Sequence, residues 1–350
     1  MSNDPEFSTE RQIHKRLDAY RQLYWFDGDA PEQLWRWQVE RRRQVRRAMR
    51  LELETVYAPP RAETIETDVR NDVRIEFIAL NTEPDFWLPV YVLEPVGQDN
   101  GRTLIALHGE GRGAIDVLGV ADDVHARRHI RQHRYDYAHR WARAGFTVVA
   151  PELRGYGRLM LQDDRERLDR GPAEQLWRNS VDRLAAIYLR VGRTYAGSCV
   201  TDLIRVIDYL EDREDVDADR IGIGGMGEGA RVLSWLIAVE DRLGAAVAAG
   251  IKRADAEALF RPQIGPPAMI DGRALVDHAS IFACHVPRPL CLQCGRRDKE
   301  MPPEHFQAIA DRLARLYRLC GAEERLVIDV HSGGRVFRQE HVGEFFERHL

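Results

Sequence analysis

A chain of 350 residues, 44% of them hydrophobic, is long enough to bury one large core. Its formal net charge of -5 gives no global positive field for nucleic acid or an acidic membrane surface. No apolar run approaches membrane-spanning length and the start, Met1 to Phe7, lacks the basic and apolar regions of a secretory signal, so a cytoplasmic address is expected, with no membrane partner.

Residues 1–65 read as a helical N-terminal extension rich in Trp and Arg, ending near Ala58-Pro59-Pro60. Trp25, Leu34, Trp35, Trp37, Val45 and Met49 are its candidate buried positions, with Arg41 to Arg43 and Arg46-Arg47 facing solvent. Such an arm suits a homo-oligomer contact or a cover over a pocket. Residues 66–350 read as one α/β domain. Val73–Ala79 and Trp87–Glu94 are opening antiparallel strands, and Pro89 argues for an edge or a bulge there. Thr103–Leu107 and Gly145–Pro151 are short unbroken apolar runs, the pattern of strands buried on both faces. Polar or charged inserts lie near 112–134 and 155–197, and a loop-rich flap carrying Pro262, Gly265-Pro266-Pro267 and Gly272 spans 251–288.

In the insert near 112–134, His125, His129 and His133 fall at i, i+4, i+8, but surface histidines on an Arg-rich helix are the commoner case. The cysteines, Cys199, Cys284, Cys291, Cys294 and Cys320, are odd in number. They read as free thiols, and the C-x-x-C of Cys291 and Cys294 has no second pair with which to hold zinc. No metal or cofactor is expected.

The chemistry concentrates at strand ends. Arg220 to Gly224 is a short apolar strand, and it leads into Gly225-Met226-Gly227-Glu228-Gly229 and then the apolar spacing of a helix. Strand, tight turn and helix is the context of a G-x-S-x-G nucleophile elbow, with Gly227 where the serine would stand. After Thr103–Leu107 comes His108-Gly109-Glu110-Gly111, and after Gly145–Pro151 comes Glu152. Pro289–Gly295 leads to Asp298, and Arg325–His331 leads to Ser332-Gly333-Gly334-Arg335.

These motifs, in this order over roughly residues 70–350, resemble the α/β-hydrolase superfamily. The likeness is to the bacterial branch of acetyl-xylan-esterase-like and dienelactone-hydrolase-like proteins. The resemblance implies a mostly parallel sheet flanked by helices and places the nucleophile on Gly227, the acid on Asp298 and the histidine on Arg335. Glycine has no side chain to acylate, and arginine stays protonated, so it cannot act as the general base.

His331, four residues before Arg335, is the candidate base that remains. His108, Gly109, Glu110, Glu152, Met226 and Glu228 are candidate ligand-binding positions around the strand ends. An ion pair between Arg335 and Asp298 is expected. The functional expectation is a pseudoenzyme, resembling carboxylic-ester hydrolases but without their serine mechanism, that binds a small ligand or a partner such as an active paralogue. The alternative is an enzyme with non-serine chemistry in the same pocket: a lyase, an isomerase or an atypical ester hydrolase. A third expectation makes the helical arm the working part.

Overall fold

The computed structural model describes residues 8–51, 58–168, 173–253 and 277–350. Nine strands form one sheet: β1 Ala62–Arg70, β2 Val73–Glu83, β3 Phe86–Pro95, β4 Thr103–Leu107, β5 Thr147–Pro151, β6 Ile221–Met226, β7 Ala245–Ala249, β8 Leu290–Gly295 and β9 Leu326–His331. Their order is β1-β2-β3-β5-β4-β6-β7-β8-β9. The first three form an antiparallel meander joined antiparallel to β5, and every pairing from β5 onward is parallel. Strands β4 to β8 are buried at every residue. This is why they read as largely apolar runs without alternation: helices cover both faces of a parallel sheet, leaving no solvent side for alternation to mark.

Among the described residues, twelve helices pack around the sheet. They are α1 Thr9–Tyr24, α2 Pro31–Met49, α3 Ala114–Val117, α4 Val124–His133, α5 Tyr137–Arg143, α6 Gln162–Arg165, α7 Ala173–Arg190, α8 Tyr195–Glu211, α9 Glu228–Ile237, α10 His278–Phe282, α11 Pro303–Leu319 and α12 Val342–His349. Helices α3 and α4 lie in the insert near 112–134, and α6 and α7 in the insert near 155–197. Of the flap expected over 251–288, residues 254–276 lie outside the described residues. Among the described residues no helix is long and apolar enough to cross a membrane.

Three expectations about the first hundred residues are corrected. Strand β1 begins at Ala62, inside the stretch assigned to the helical extension, and is exposed almost throughout, so it carries no buried periodicity to read. Pro89 lies in β3, between β2 and β5 rather than at an edge. It faces Ala79 across β2, while the register with β5 begins at Val90, so its missing N–H falls where that ladder ends.

In α2 the inward stripe is Leu34, Gln38, Arg41, Val45, Ala48 and Met49, while Trp35 is 51% exposed. Spacings of three and four residues put Arg41 on that stripe and Trp35 beside it. Arg41 Nη2 donates to Ser280 Oγ at 2.8 Å, and Gln38 Nε2 donates to the carbonyls of Ala283 and Val286 at 2.8 and 2.7 Å. Helix α2 is therefore seated in its own domain by its apolar stripe and by polar contacts with the segment around α10.

Candidate functional site

Strand β6 lies between β4 and β7 and delivers Gly227 to its tip with φ 59° and ψ -115°, one residue before α9. That left-handed conformation favours glycine and is the strained turn an elbow uses. The turn is held by Gly227 N–H to Ala249 O at 3.0 Å and by Arg231 N–H to Gly227 O at 3.0 Å. Two residues on, a Cβ at Gly229 would overlap the carbonyl oxygens of Leu107 and His108 at the end of β4. Only glycine lets α9 start this close to the neighbouring strand.

The space above Gly227 is filled. A Cβ built there would overlap Glu110 Oε2 and Arg335 Nη2. Arg335 Nη2 donates to Glu110 Oε2 at 3.0 Å and Oε1 at 3.2 Å, Lys252 Nζ stands 2.6 Å from Oε1, and the Glu228 N–H at the start of α9 points to Oε2 at 3.4 Å. Burial alone would raise the Glu110 carboxyl, but Arg335 and Lys252 outweigh it and hold it far below the usual carboxylate range. Burial likewise disfavours the Arg335 charge, and Glu110 more than restores it.

The Arg335 loop is fixed at three points. Its Nε donates to Gly250 O at 3.1 Å, its carbonyl lies 2.7 Å from His133 Nδ1, and Phe337 N–H donates to His133 O at 3.0 Å. His133, singled out in the sequence for its spacing with His125 and His129, thus pins this loop from the end of α4. Its ring and that of His129 lean on Tyr135, with centroids 5.6 and 5.0 Å away. Among the described residues no three His, Cys, Asp or Glu side chains come together as metal ligands.

The expected Arg335–Asp298 ion pair is replaced by Arg335–Glu110. Glu110 reaches across the turn from the end of β4, an approach that sequence distance conceals. Asp298 is 5% exposed; its Oδ1 accepts from Glu300 N–H at 2.9 Å and its Oδ2 has no hydrogen-bond partner among the described residues. Burial raises its carboxyl above the ordinary aspartate value, against the Glu300 N–H and the field of Arg335. His331 turns into its own loop, where Nδ1 accepts from Gly333 N–H at 3.1 Å. It has no described contact with Glu110 or Arg335, so the candidate base does not stand with the cluster.

His108 and Glu152 form a second, deeper pair. His108 Nε2 lies 3.1 Å from Glu152 Oε1 and 2.9 Å from Leu153 N, and both side chains are buried. Glu152 Oε1 accepts from Ala114 N–H at 2.8 Å, and a Cβ at Gly113, where φ is 100°, would overlap that carboxylate. Burial opposes the His108 charge, but Glu152 overcomes it and raises the imidazole above its ordinary value. Met226 is fully buried, and Gly109 lies against Tyr135 and the Met226 carbonyl. Glu228 is paired with Arg231.

Of the residues named from sequence, Gly227, Glu110, Arg335 and the Glu228 amide therefore meet at one point, and His108 and Glu152 brace the loop beneath. Lys252 and Tyr135 escaped the sequence reading. Lys252 had one signal, as one of three lysines in the chain and placed just after the apolar run of β7. Tyr135, buried with its Oη 3.4 Å from Glu110 O, had none.

No protein-family model matches the sequence. A Bacillus subtilis (strain 168) protein, YtaP, named as a hydrolase, is 23% identical over 276 residues, covering 76% of this chain and 84% of that one. A Bacteroides fragilis NCTC 9343 protein described as an acetyl xylan esterase superposes with a TM-score of 0.74 at 17% identity, over 95% of this chain and 84% of that one. A glucuronoyl esterase from Solibacter usitatus gives 0.62 at 14% identity, over 91% and 93%. The chain has the α/β-hydrolase fold, with the sheet order, the elbow turn and the strand-end loops that this fold uses for its sites.

Proposed function

We propose that this chain is an α/β-hydrolase-fold pseudoenzyme. Gly227, Asp298 and Arg335 stand at the nucleophile, acid and histidine positions, and the protein binds a small ligand there or serves a partner such as an active paralogue. The observation that carries the reading is the occupied elbow: the volume a nucleophile would need above Gly227 holds the Glu110–Arg335 ion pair. An arginine locked to a carboxylate and to a backbone carbonyl offers no site for a proton from a nucleophile. The partnerless Oδ2 of Asp298 supports the same reading, because it is the acceptor a triad histidine at position 335 would use. Non-serine chemistry would need a base at this point, and Glu110, with its proton affinity suppressed by two cations, is a poor one.

The test is a short-acyl ester assay combined with a fluorophosphonate probe. The wild type is expected to show no burst, no turnover above buffer and no stoichiometric labelling; labelling with turnover overturns the reading. Gly227→Ser alone is expected to stay inactive, because the new side chain meets Glu110 and Arg335 and still lacks a base. Gly227→Ser with Arg335→His and Glu110→Ala clears the space and sets an imidazole near Asp298. It is expected to give a measurable acylation burst, read by rapid-quench release of the leaving group.

A further inference from the structure

The Glu110 carboxylate is held almost wholly by charged side chains. Arg335 Nη2, Lys252 Nζ and the Glu228 N–H converge on it from the loop after β9, the end of β7 and the start of α9. The backbone contributes less: the Glu228 N–H stands at 3.4 Å, the longest of these contacts, and the Glu110 N–H also reaches its own carboxylate. Two cations therefore clasp one carboxylate at a helix N-terminus, an arrangement that suits any carboxylate and not only one tethered through Glu110. A second observation bears on exchange. Asp298, buried and with Oδ2 unpartnered, lies in the field of Arg335. With Glu110 withdrawn, the formal charges of Arg335, Lys252 and Asp298 leave one net positive charge. A single monocarboxylate neutralises that charge, whereas a phosphate dianion overshoots it.

We propose that the donors around Gly227 form a binding site for a free monocarboxylate, and that Glu110 is the resident ligand which an incoming carboxylate replaces. The proposal rests on the reading that position 227 carries no nucleophile, and it adds the class of ligand. Glu110 competes as an internal ligand, so carboxylate affinity in the wild type is lowered by the fraction of time that Glu110 vacates the donors. Weakening the resident ligand raises the apparent affinity, and removing a donor lowers it.

The experiment titrates isotopically labelled acetate, at constant ionic strength, into the full chain as wild type, Glu110→Gln, Glu110→Ala and Glu110→Ala with Arg335→Ala. Binding is followed by NMR line broadening, and folding is checked by circular dichroism. Glu110→Ala is expected to bind acetate about tenfold more tightly than the wild type or better. Glu110→Gln, which fills the space without the charge, should fall between, and the double variant should lose the gain. If Glu110→Ala does not fold, the rise from wild type to Glu110→Gln carries the test. Affinities equal within about twofold, inorganic phosphate binding more tightly than acetate, or a gain that survives loss of Arg335 each overturn the proposal. Ester turnover by the wild type would instead defeat the pseudoenzyme reading, and it is scored separately in the assay above.

Discussion

Two carboxylates follow neighbouring strands of the sheet, Glu110 after β4 and Glu152 after β5, and they are held in different ways. Glu152 sits in a socket made largely of backbone, with the Ala114 N–H on Oε1, His108 at 3.1 Å and a glycine whose missing Cβ makes the room. Glu110 sits, nearly buried itself, among the charged ends of partly exposed side chains from separate elements, above the elbow turn. A buried group fixed by backbone has one arrangement and serves the fold. A group clasped by long side chains has alternatives within reach of ordinary rotamer changes, and that is where binding can be exchanged.

The largest effect should come from the socket. Glu152→Ala leaves the buried Ala114 N–H without its acceptor and takes the carboxylate away from the buried His108 ring. It is expected to cost about 4 kcal/mol of stability in a urea titration, within the range for breaking a buried ion pair. A loss no greater than that of Glu110→Gln would erase the distinction between the two carboxylates.

The effect at Glu110 should be smaller and depend on pH. Its partners Arg335 and Lys252 are 18% and 36% exposed, between the buried and surface cases, so Glu110→Gln is expected to cost about 2 kcal/mol at neutral pH. The folded value lies below the ordinary 4.5. The contribution is therefore complete above that ordinary value and shrinks as pH falls below it, because the unfolded chain takes up the proton first. Urea midpoints of wild type and variant are expected to converge on acidification; a gap constant from pH 7 to 3 would mean that the pair is not electrostatic in origin.

The smallest effect, of opposite sign, should come from Asp298. Its folded value is raised, so its favourable contribution belongs to low pH and is lost as pH rises through that raised value. Above that value the carboxylate weakens the fold, and Asp298→Asn is expected to raise Tm at pH 7 by roughly 1 to 3 °C, the equivalent of under 1 kcal/mol in a chain this long. The gain should vanish below the aspartate range. A loss of Tm at pH 7 would show that Oδ2 of Asp298 also has a partner in solution.

The sequence by itself determined the parts whose signals are local. The buried strands β4, β5 and β6 declared themselves as short apolar runs, and the glycines around Gly227 declared a strand-turn-helix because only glycine admits that φ and that closeness of α9 to β4. That residue 227 is glycine and residue 335 arginine is likewise plain in the sequence. What the tertiary structure decided is pairing. Arg335 was paired with Asp298, 37 positions away, because the resemblance sets those two at the histidine and acid positions, whereas its observed partner Glu110 lies 225 positions away. The parallel sheet brings the ends of β4, β7 and β9 to one edge, and there Glu110 lies within hydrogen-bond distance while Asp298 does not. Arg41 was misplaced for the same reason: its side chain is charged, but its position on the α2 stripe and the Ser280 hydroxyl waiting across the interface turn it inward. Charge pairs are chosen by distance in space, and that distance is set by the order in which strands lie side by side.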